Sequence, residues 1–413
     1  MTSILVLNRP PLIHMPYGEW LGPDIDIRMI TGPGALGGRP APEGVVVIED
    51  YDSSGLVEQA AVEMYRERPY DLIIALSEYD LMRAGRLREV LGLPGQDYAG
   101  ALAFRDKVVM KDHWRDAGVP ATAYAPLRTA ADLAGFVGEH GFPVVVKPRL
   151  GTGSRAVAVL RDEDDVHRWL TECWSLPLSD ISTWMVESFV EGEMLHVDGL
   201  YNAGEMEIAW PSTITSLLGF HERRPTFSAM LDPDDPAVAD CRDLVRRSLE
   251  GLPSTELAIF HAELWRTPDG TLLMNEIAAR QGGGKIGPAV RAAFDVHLMR
   301  RYVRLAVLGQ EEPTPPARPR QCAGWALIPP HTGTVLAASQ PDGHFDQGWM
   351  VEASVSVRAR DRLYGAGSSI DAVASCLVTG DTRAEVLDRL EQFADWAGNA
   401  VRYETSEAVA GTK

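Results

Sequence analysis

Lysine is nearly missing from this chain. Its 413 residues hold 39 Lys plus Arg, yet only Lys107, Lys111, Lys147, Lys285 and Lys413 are lysine. A general bias toward arginine explains the scarcity but not why the few lysines stand in motif-like contexts. A compact ammonium suits a phosphate site, and arginine does not replace it freely. Cysteine is also scarce. Cys173, Cys241, Cys322 and Cys376 are scattered without a CxxC pair, which argues against a zinc site or a disulfide framework and fits a reducing cytosol. No apolar run approaches the roughly 18–20 residues of a membrane span. Residues 1–10 have no basic stretch ahead of their short apolar run. They read as a first strand, not a signal peptide, so a cytoplasmic protein with no membrane partner is expected. Positive charge is short overall. The formal net charge is −19, a sign that repels phosphodiester backbones and disfavours a nucleic-acid partner. A local cationic pocket for a small nucleotide remains compatible with it.

What is present reads as α/β (α+β) organisation in four stretches, since the length exceeds one ordinary core. Residues 1–100 alternate short β-branched runs (4–7, 45–48, 72–75) with a helical pattern at 56–66, a small parallel α/β domain. The Gly/Pro-rich stretch 32–44 reads as loop. Residues 101–185 open with a helix over 101–117. A helix at 130–140, a strand at 144–147, a glycine loop, a strand at 156–160 and a helix at 164–173 capped by Asp162 follow. Residues 186–310 carry strands at 184–188, 196–201, 207–210, 259–265 and 272–277. They also carry a helix entered through Asp235 and Pro236 and a long helix over 288–308. The Pro-rich segment 312–320 reads as a linker. Residues 318–405 form a β-rich stretch with runs at 325–328 and 353–357, closed by a helix at 384–397.

The densest chemistry lies between His261 and Lys285. Thr267-Pro268-Asp269-Gly270 separates two apolar runs, and Asp-Gly is a strong hairpin signal. A two-residue loop pairs Pro268 with Thr271 and so sets Glu263 opposite Glu276. A four-residue loop keeps that register, and a three-residue loop shifts it. Facing carboxylates repel, and a divalent cation between them turns repulsion into coordination. Strand alternation places Glu276, Ala278 and Arg280 on one face, where an arginine could hold a transferring phosphoryl group. An exposed hairpin whose glutamates never meet fits the same residues. Upstream, Val144-Val145-Val146-Lys147 puts a lysine at the end of a buried strand, followed by Gly151-Thr152-Gly153-Ser154-Arg155. Such a loop can close over phosphates with its N–H groups, or can be an ordinary turn. Neither a P-loop nor a Rossmann fingerprint is present. Lys107 lies on a helix, where a solvated lysine is the common reading.

Taken in order, these segments resemble the ATP-grasp superfamily over about residues 100–310. They comprise a helix with an Asp-Lys pair, a strand lysine before a glycine loop, the stretch Glu187-Ser188-Phe189-Val190, and a carboxylate hairpin ending in Glu276-x-x-x-Arg280. The resemblance implies an ATP-grasp fold. An N-terminal preATP-grasp, Rossmann-like domain precedes two α+β lobes gripping ATP and a C-terminal β-rich subdomain. It implies ATP and Mg²⁺ as cofactors, with Mn²⁺ able to substitute. Lys107 and Lys147 would contact phosphates, with Gly151, Thr152, Gly153 and Ser154 as the lid. Glu187, Ser188, Phe189 and Val190 would hold adenine. Glu193 could accept ribose hydroxyls, although the usual ribose carboxylate aligns nearer Met194. Glu263 and Glu276 would bind the metal, and Arg280, with Lys147, would act in catalysis. The usual ExNxR pattern here reads Glu276-Ile277-Ala278-Ala279-Arg280, so the Asn ligand is missing at Ala278. Asn275 is the nearest replacement, but strict alternation points it to the other strand face.

Within the superfamily the chain looks most like the L-amino acid and dipeptide ligases, carnosine synthase-like enzymes included. The features are His196-Val197-Asp198-Gly199, Trp210-Pro211-Ser212 and the run Arg280-Gln281-Gly282-Gly283-Gly284. Arg280, Gly282, Gly283, Gly284 and His196 are the implied substrate contacts; a plain flexible connector is the bland reading of the glycines. The implied activity is an ADP-forming carboxylate–amine ligase joining amino acid-type small molecules through an acyl phosphate, with a homodimer allowed. Segment 212–227 is the candidate substrate stretch and has no readable code. The alternatives are a biotin carboxylase-like or purine-pathway carboxylating enzyme and, from another class, a nucleotide-binding regulatory protein with a degenerate site.

Overall fold

The computed structural model describes residues 2–172, 183–215, 219, 223–253, 256–309, 313–345 and 348–404. Cys173, Glu312, Lys413, residue 405 and the stretches 216–218 and 220–222 of the candidate substrate segment lie outside the described residues.

The chain begins with β1 (Thr2–Asn8), α1 (Tyr17–Leu21), β2 (Ile25–Thr31), α2 (Pro33–Leu36), β3 (Val45–Val47), α3 (Leu56–Glu67), β4 (Leu72–Ala75) and α4 (Leu81–Leu91). The strands form a parallel sheet in the order β3-β2-β1-β4. Alternation along β1 sends Leu5 and Leu7 into one core and Ile4 and Val6 into another. The second of these cores is continuous with the centre of the molecule, so the N-terminal sheet is fused to the rest by burial. Strand β2 had no apolar signature because Asp26 and Arg28 interrupt it; they form an ion pair at 3.6 Å.

Next come α5 (Tyr98–Ala103) and α6 (Lys107–Asp116), two helices where one was expected over 101–117. Asp106 makes the break. Its carboxylate accepts from the N–H groups of Val108 (2.9 Å) and Val109 (3.3 Å) and so restarts the helix. Helix α6 docks on the large lobe, where the buried Trp114 donates from Nε1 to the Ser248 carbonyl (3.1 Å). The small lobe is β5 (Tyr124–Leu127), α7 (Ala130–His140), β6 (Val144–Pro148), β7 (Ala158–Leu160), α8 (Glu163–Glu172) and β8 (Trp184–Ser188). Its antiparallel sheet, ordered β5-β8-β6-β7, has its own core of Phe136, Val144, Val146, Trp169 and Val186. As expected, Asp162 caps α8, accepting from Asp165 N at 2.9 Å.

The large lobe holds β9 (Glu193–Asn202), β10 (Glu205–Ile214), β11 (Thr226–Met230), α9 (Ala237–Glu250), β12 (Leu257–Arg266), β13 (Leu272–Ala278), α10 (Ile286–Phe294) and α11 (Leu298–Leu308). The single helix expected over 288–308 is again two. Asp295 ends the first in the left-handed region (φ 59°), and His297 caps the second by accepting from Arg300 N. Beyond the linker lie β14 (Cys322–Ile328), β15 (Thr332–Ala338), β16 (Met350–Val355), β17 (Arg362–Tyr364), β18 (Ala374–Gly380), α12 (Arg383–Ala400) and β19 (Val401–Tyr403). Strands β14, β18 and β16 extend the large lobe's sheet, which runs β13-β12-β9-β10-β11-β14-β18-β16. No helix among the described residues is long and apolar enough to cross a membrane.

Candidate active site

Hairpin β12–β13 forms one edge of the large sheet. Its loop has three residues, 268–270, closed by Thr267 N to Thr271 O at 3.0 Å, the length that shifts the register. Gly270 adopts the left-handed conformation (φ 88°) and Asp269 accepts from Thr271 N (3.2 Å), a pairing of roles that favours the longer turn. The extra residue shifts the register from Arg266↔Leu272 through Leu264↔Met274. A β-bulge at Asn275 then removes the shift, and Glu263 faces Glu276 as anticipated.

The bulge also corrects the expectation for Asn275. The unpaired residue rotates off strict alternation, so its side chain enters the same cleft as the glutamates. Asn275 Nδ2 donates to Glu263 Oε2 at 2.9 Å, and its Oδ1 accepts from Lys147 Nζ at 3.3 Å. The donor set Glu263, Glu276 and Asn275 is all oxygen, the chemistry that suits Mg²⁺. Ala278, where the Asn was missing, pairs with His261.

The two lysines come from elements outside the hairpin, Lys107 from α6 and Lys147 from the small lobe. Lys107, the first residue of α6, places Nζ 3.0 Å from Glu276 Oε2 and 2.8 Å from the Gly151 carbonyl. Lys147, on β6, places Nζ 2.5 Å from Glu187 Oε1. Burial pushes the Glu276 carboxyl up, but Lys107 and Lys147 outweigh it and hold it down at about 2. Burial likewise opposes ionisation of Glu187, and Lys147 and Lys111 overcome it. Lys147 itself is raised, with Glu187 and Glu276 outweighing its burial. Glu187 is therefore the counter-ion of two buried lysines as well as the candidate adenine contact. Lys111, fully enclosed, sits 3.3 Å from Glu187 Oε2 and donates to Thr122 Oγ1 (2.8 Å). Burial lowers it to about 8, with Glu187 working the other way.

The glycine loop Gly151, Thr152, Gly153 and Ser154 lies over Lys107. Gly153 (φ 61°) is held through its carbonyl by Ser369 N and Ser368 Oγ, both at 3.3 Å, and a Cβ there would strike Ser368 Oγ. At the end of β8, the N–H groups of Ser188 and Phe189 donate to the Ala123 and Pro143 carbonyls. The Phe189 side chain is exposed and Val190 half-buried. Glu193 is paired with Arg266 and, at 3.2 Å, with Arg383, so a ribose there would have to share it.

Arg280 donates from Nε to Glu78 Oε2 (2.5 Å) and from Nη1 to the Gln281 carbonyl (3.0 Å). Burial lowers its pKa, but Glu78 and Glu276 reverse the shift, so it is raised. The glycines after it are sterically demanded. A Cβ on Gly282 would meet His261 Nδ1 at 2.7 Å and Asp198 Oδ1 at 2.9 Å, and Gly284 (φ 62°) lies against the Trp325 ring. Beneath them runs a buried chain of side chains. Ser228 Oγ is 2.7 Å from His196 Nε2, and His196 Nδ1 is 2.5 Å from Asp198 Oδ2. Asp198 Oδ1 is 2.9 Å from His261 Nδ1, and His261 Nε2 lies 3.4 Å from Glu263. Burial disfavours charge on Asp198, but His261 and His196 hold it well below the usual range. Burial lowers His261 while Asp198 outweighs it, giving about 10. His196, a candidate substrate contact, is thus tied to the hairpin through Asp198.

Sequence reasoning did not single out Lys111, Glu78, Asp198 or Ser228 as site residues. Lys111 carried a signal as one of few lysines, four residues after Lys107, and Asp198 stood in the quoted run His196-Val197-Asp198-Gly199. Glu78 and Ser228 sit in a loop and a strand whose proximity to the site is tertiary.

No protein-family profile matches the chain. It is 25% identical over 296 residues to the L-arginine-specific L-amino acid ligase of Bacillus subtilis, covering 70% of each. In structure it resembles the L-amino acid ligase of Bacillus licheniformis, with a TM-score of 0.76 at 17% identity over 98% of this chain and 99% of that one. It also resembles the biotin carboxylase domain of the Hydrogenobacter thermophilus 2-oxoglutarate carboxylase, described with MgADP and bicarbonate. There the TM-score is 0.70 at 15% identity over 98% and 90% of the two chains.

Proposed function

The chain is a member of the ATP-grasp superfamily, and we propose on that ground that it is an ADP-forming carboxylate–amine ligase acting on amino acid-type substrates. The observation that carries the reading is the meeting of two lobes. Glu263, Glu276 and Asn275 on one hairpin face Lys147 from the small lobe and Lys107 from α6, with Arg280 four residues beyond Glu276. The cofactors are ATP and Mg²⁺, and Mn²⁺ is expected to substitute.

Lys107 and Lys147 bind the nucleotide phosphates, exchanging their present carboxylate partners for phosphate oxygens. Glu187, Ser188, Phe189 and Val190 line the adenine side. Glu263 and Glu276, with Asn275, hold Mg²⁺, which supplies neutralisation of phosphate charge when bound. Arg280 stabilises the negative charge that builds as a substrate carboxylate oxygen attacks the γ-phosphorus and the bond to ADP breaks. A neutral amine then attacks the acyl carbon of the acyl phosphate. The C–O bond breaks, phosphate leaves and the amine proton passes to solvent. The glycine loop excludes water, which otherwise hydrolyses the acyl phosphate.

The test is a phosphate-release screen over pairs of amino acids, with product masses measured. A product of the summed mass less water, formed with ADP, is expected. ADP formation that needs bicarbonate and no amine would instead support a carboxylating enzyme, the reading favoured by the likeness to a biotin carboxylase domain. ATP binding with no turnover on any acceptor would support a regulatory protein. The entry of Asn275 into the cleft weakens that last reading, because it restores the amide that Ala278 lacks.

A further inference from the structure

The N-terminal domain reaches the cleft through Glu78. This residue lies in the loop after β4, at the carboxyl end of a parallel strand, where open α/β sheets present their functional loops. Its carboxylate is divided between two arginines from distant segments. Oε2 accepts from Arg280 Nε at 2.5 Å, and Oε1 pairs with Arg105 Nη1. Arg105 in turn donates from Nη2 to the Leu150 carbonyl (3.0 Å), at the root of the glycine loop. Only a tenth of the Glu78 side chain is exposed (10%). Burial pushes its carboxyl up, but Arg280, Arg105 and Lys107 outweigh this and keep it ionised.

The pairing bears on what Arg280 can do. A guanidinium presents its donors in a rigid plane, so a bond at Nε sets the direction of the Nη groups. The other anions that act on Arg280 are Glu276 and Glu263, the candidate metal ligands. An unrestrained Arg280 is therefore drawn onto the very carboxylates that must stay free for Mg²⁺. We propose that Glu78 is a positioning residue. It holds Arg280 by its Nε, keeps the guanidinium off Glu276 and presents the Nη groups to the phosphoryl group, while Arg105 ties the same carboxylate to the lid. The inference rests on the ligase reading, because Arg280 draws its role from it.

The test uses the full chain and four variants: Glu78→Gln, Glu78→Asp, Arg280→Lys and the double Glu78→Gln/Arg280→Lys. ADP formation is measured against Mg²⁺ and against ATP. Losing an outer partner of such a site costs roughly 10- to 100-fold in activity. Glu78→Gln is expected to lower kcat by about that factor and to raise the Mg²⁺ requirement, with KM for ATP little changed. Because it also leaves Arg105 and Arg280 without their shared counter-ion, the melting temperature falls too, and kcat is measured well below it. Glu78→Asp recovers part of the loss. The double variant falls no further than Arg280→Lys alone, since Glu78 acts through Arg280. Wild-type kcat in Glu78→Gln, additive losses in the double variant, or a kcat loss that disappears at temperatures where the variant is fully folded overturns the proposal. If the wild type forms no ADP with any acid and amine, the ligase reading fails separately. The positioning is then read from a crystal structure of Glu78→Gln, where an Arg280 that has not moved onto Glu276 overturns it.

Discussion

Replacing Asn275 with alanine isolates the contribution of the bulge. The side chain makes two polar contacts, Nδ2 to Glu263 Oε2 at 2.9 Å and Oδ1 to Lys147 Nζ at 3.3 Å. A hydrogen bond to a charged group contributes about 1.5–3 kcal/mol. The longer contact counts for less, and Lys147 keeps Glu187 as its main partner. A loss of about 2 kcal/mol follows, and at about 1.4 kcal/mol per decade this is roughly a 30-fold effect. It should appear as a rise in the Mg²⁺ concentration needed for half-maximal ADP formation, measured at saturating ATP. Because Glu187 still neutralises Lys147, the fold should persist, and the far-UV circular dichroism of the variant should match wild type. Deleting Asn275 outright removes the bulge yet leaves Glu263 opposite Glu276, since the offset pairs already run up to Met274. The deletion should show the same Mg²⁺ shift. A Mg²⁺ dependence within twofold of wild type in both variants refutes the idea that the bulge supplies a metal-site amide.

Three other outcomes are expected. Glu276→Ala should abolish ADP formation with the fold intact, and wild-type turnover would refute its assignment to the metal. Glu187→Gln leaves Lys147 and Lys111 buried without their shared counter-ion. Breaking a buried pair from one side costs about 3–5 kcal/mol, so the urea midpoint should fall clearly, and adding Lys111→Met should restore part of it; a midpoint unchanged by Glu187→Gln contradicts the pairing. Lys111 has a folded pKa of about 8 against an ordinary 10.5. Between those values the unfolded chain binds more protons, so stability rises with pH across that window, by at most about 3 kcal/mol. Urea midpoints at pH 7.5 and 9.5 should therefore separate further in wild type than in Lys111→Met, and parallel behaviour would count against a Lys111 pKa lowered by burial.

Much of the site was legible because its signals are local. Lys147 ends a run of three valines, Asp-Gly marks the hairpin, and Glu263 and Glu276 are symmetrically placed about it. The breaks in the two long helices were less legible. The first depends on Asp106, which also binds Arg149 (2.9 and 2.7 Å) across the fold. The second depends on a left-handed Asp295 inside an otherwise helical pattern. Of the C-terminal strands only β14 and β16 were read as short β runs; β18 was not, and that the three would join the large sheet had no counterpart in their sequence. Strand order is a property of long-range pairing, not of a strand's own residues.

From the chain alone came many of the elements, the sign of the charge, the scarcity of lysine and the facing glutamates, because periodicity and turn chemistry act over a few residues. Only tertiary structure decided which carboxylate neutralises which cation. Glu187 serves Lys111 and Lys147, Glu78 serves Arg105 and Arg280, and Asp198 serves two histidines. It also decided where Asn275 points. A one-residue slip in a loop and a one-residue bulge cancel in the register yet turn a side chain from one face of a strand to the other.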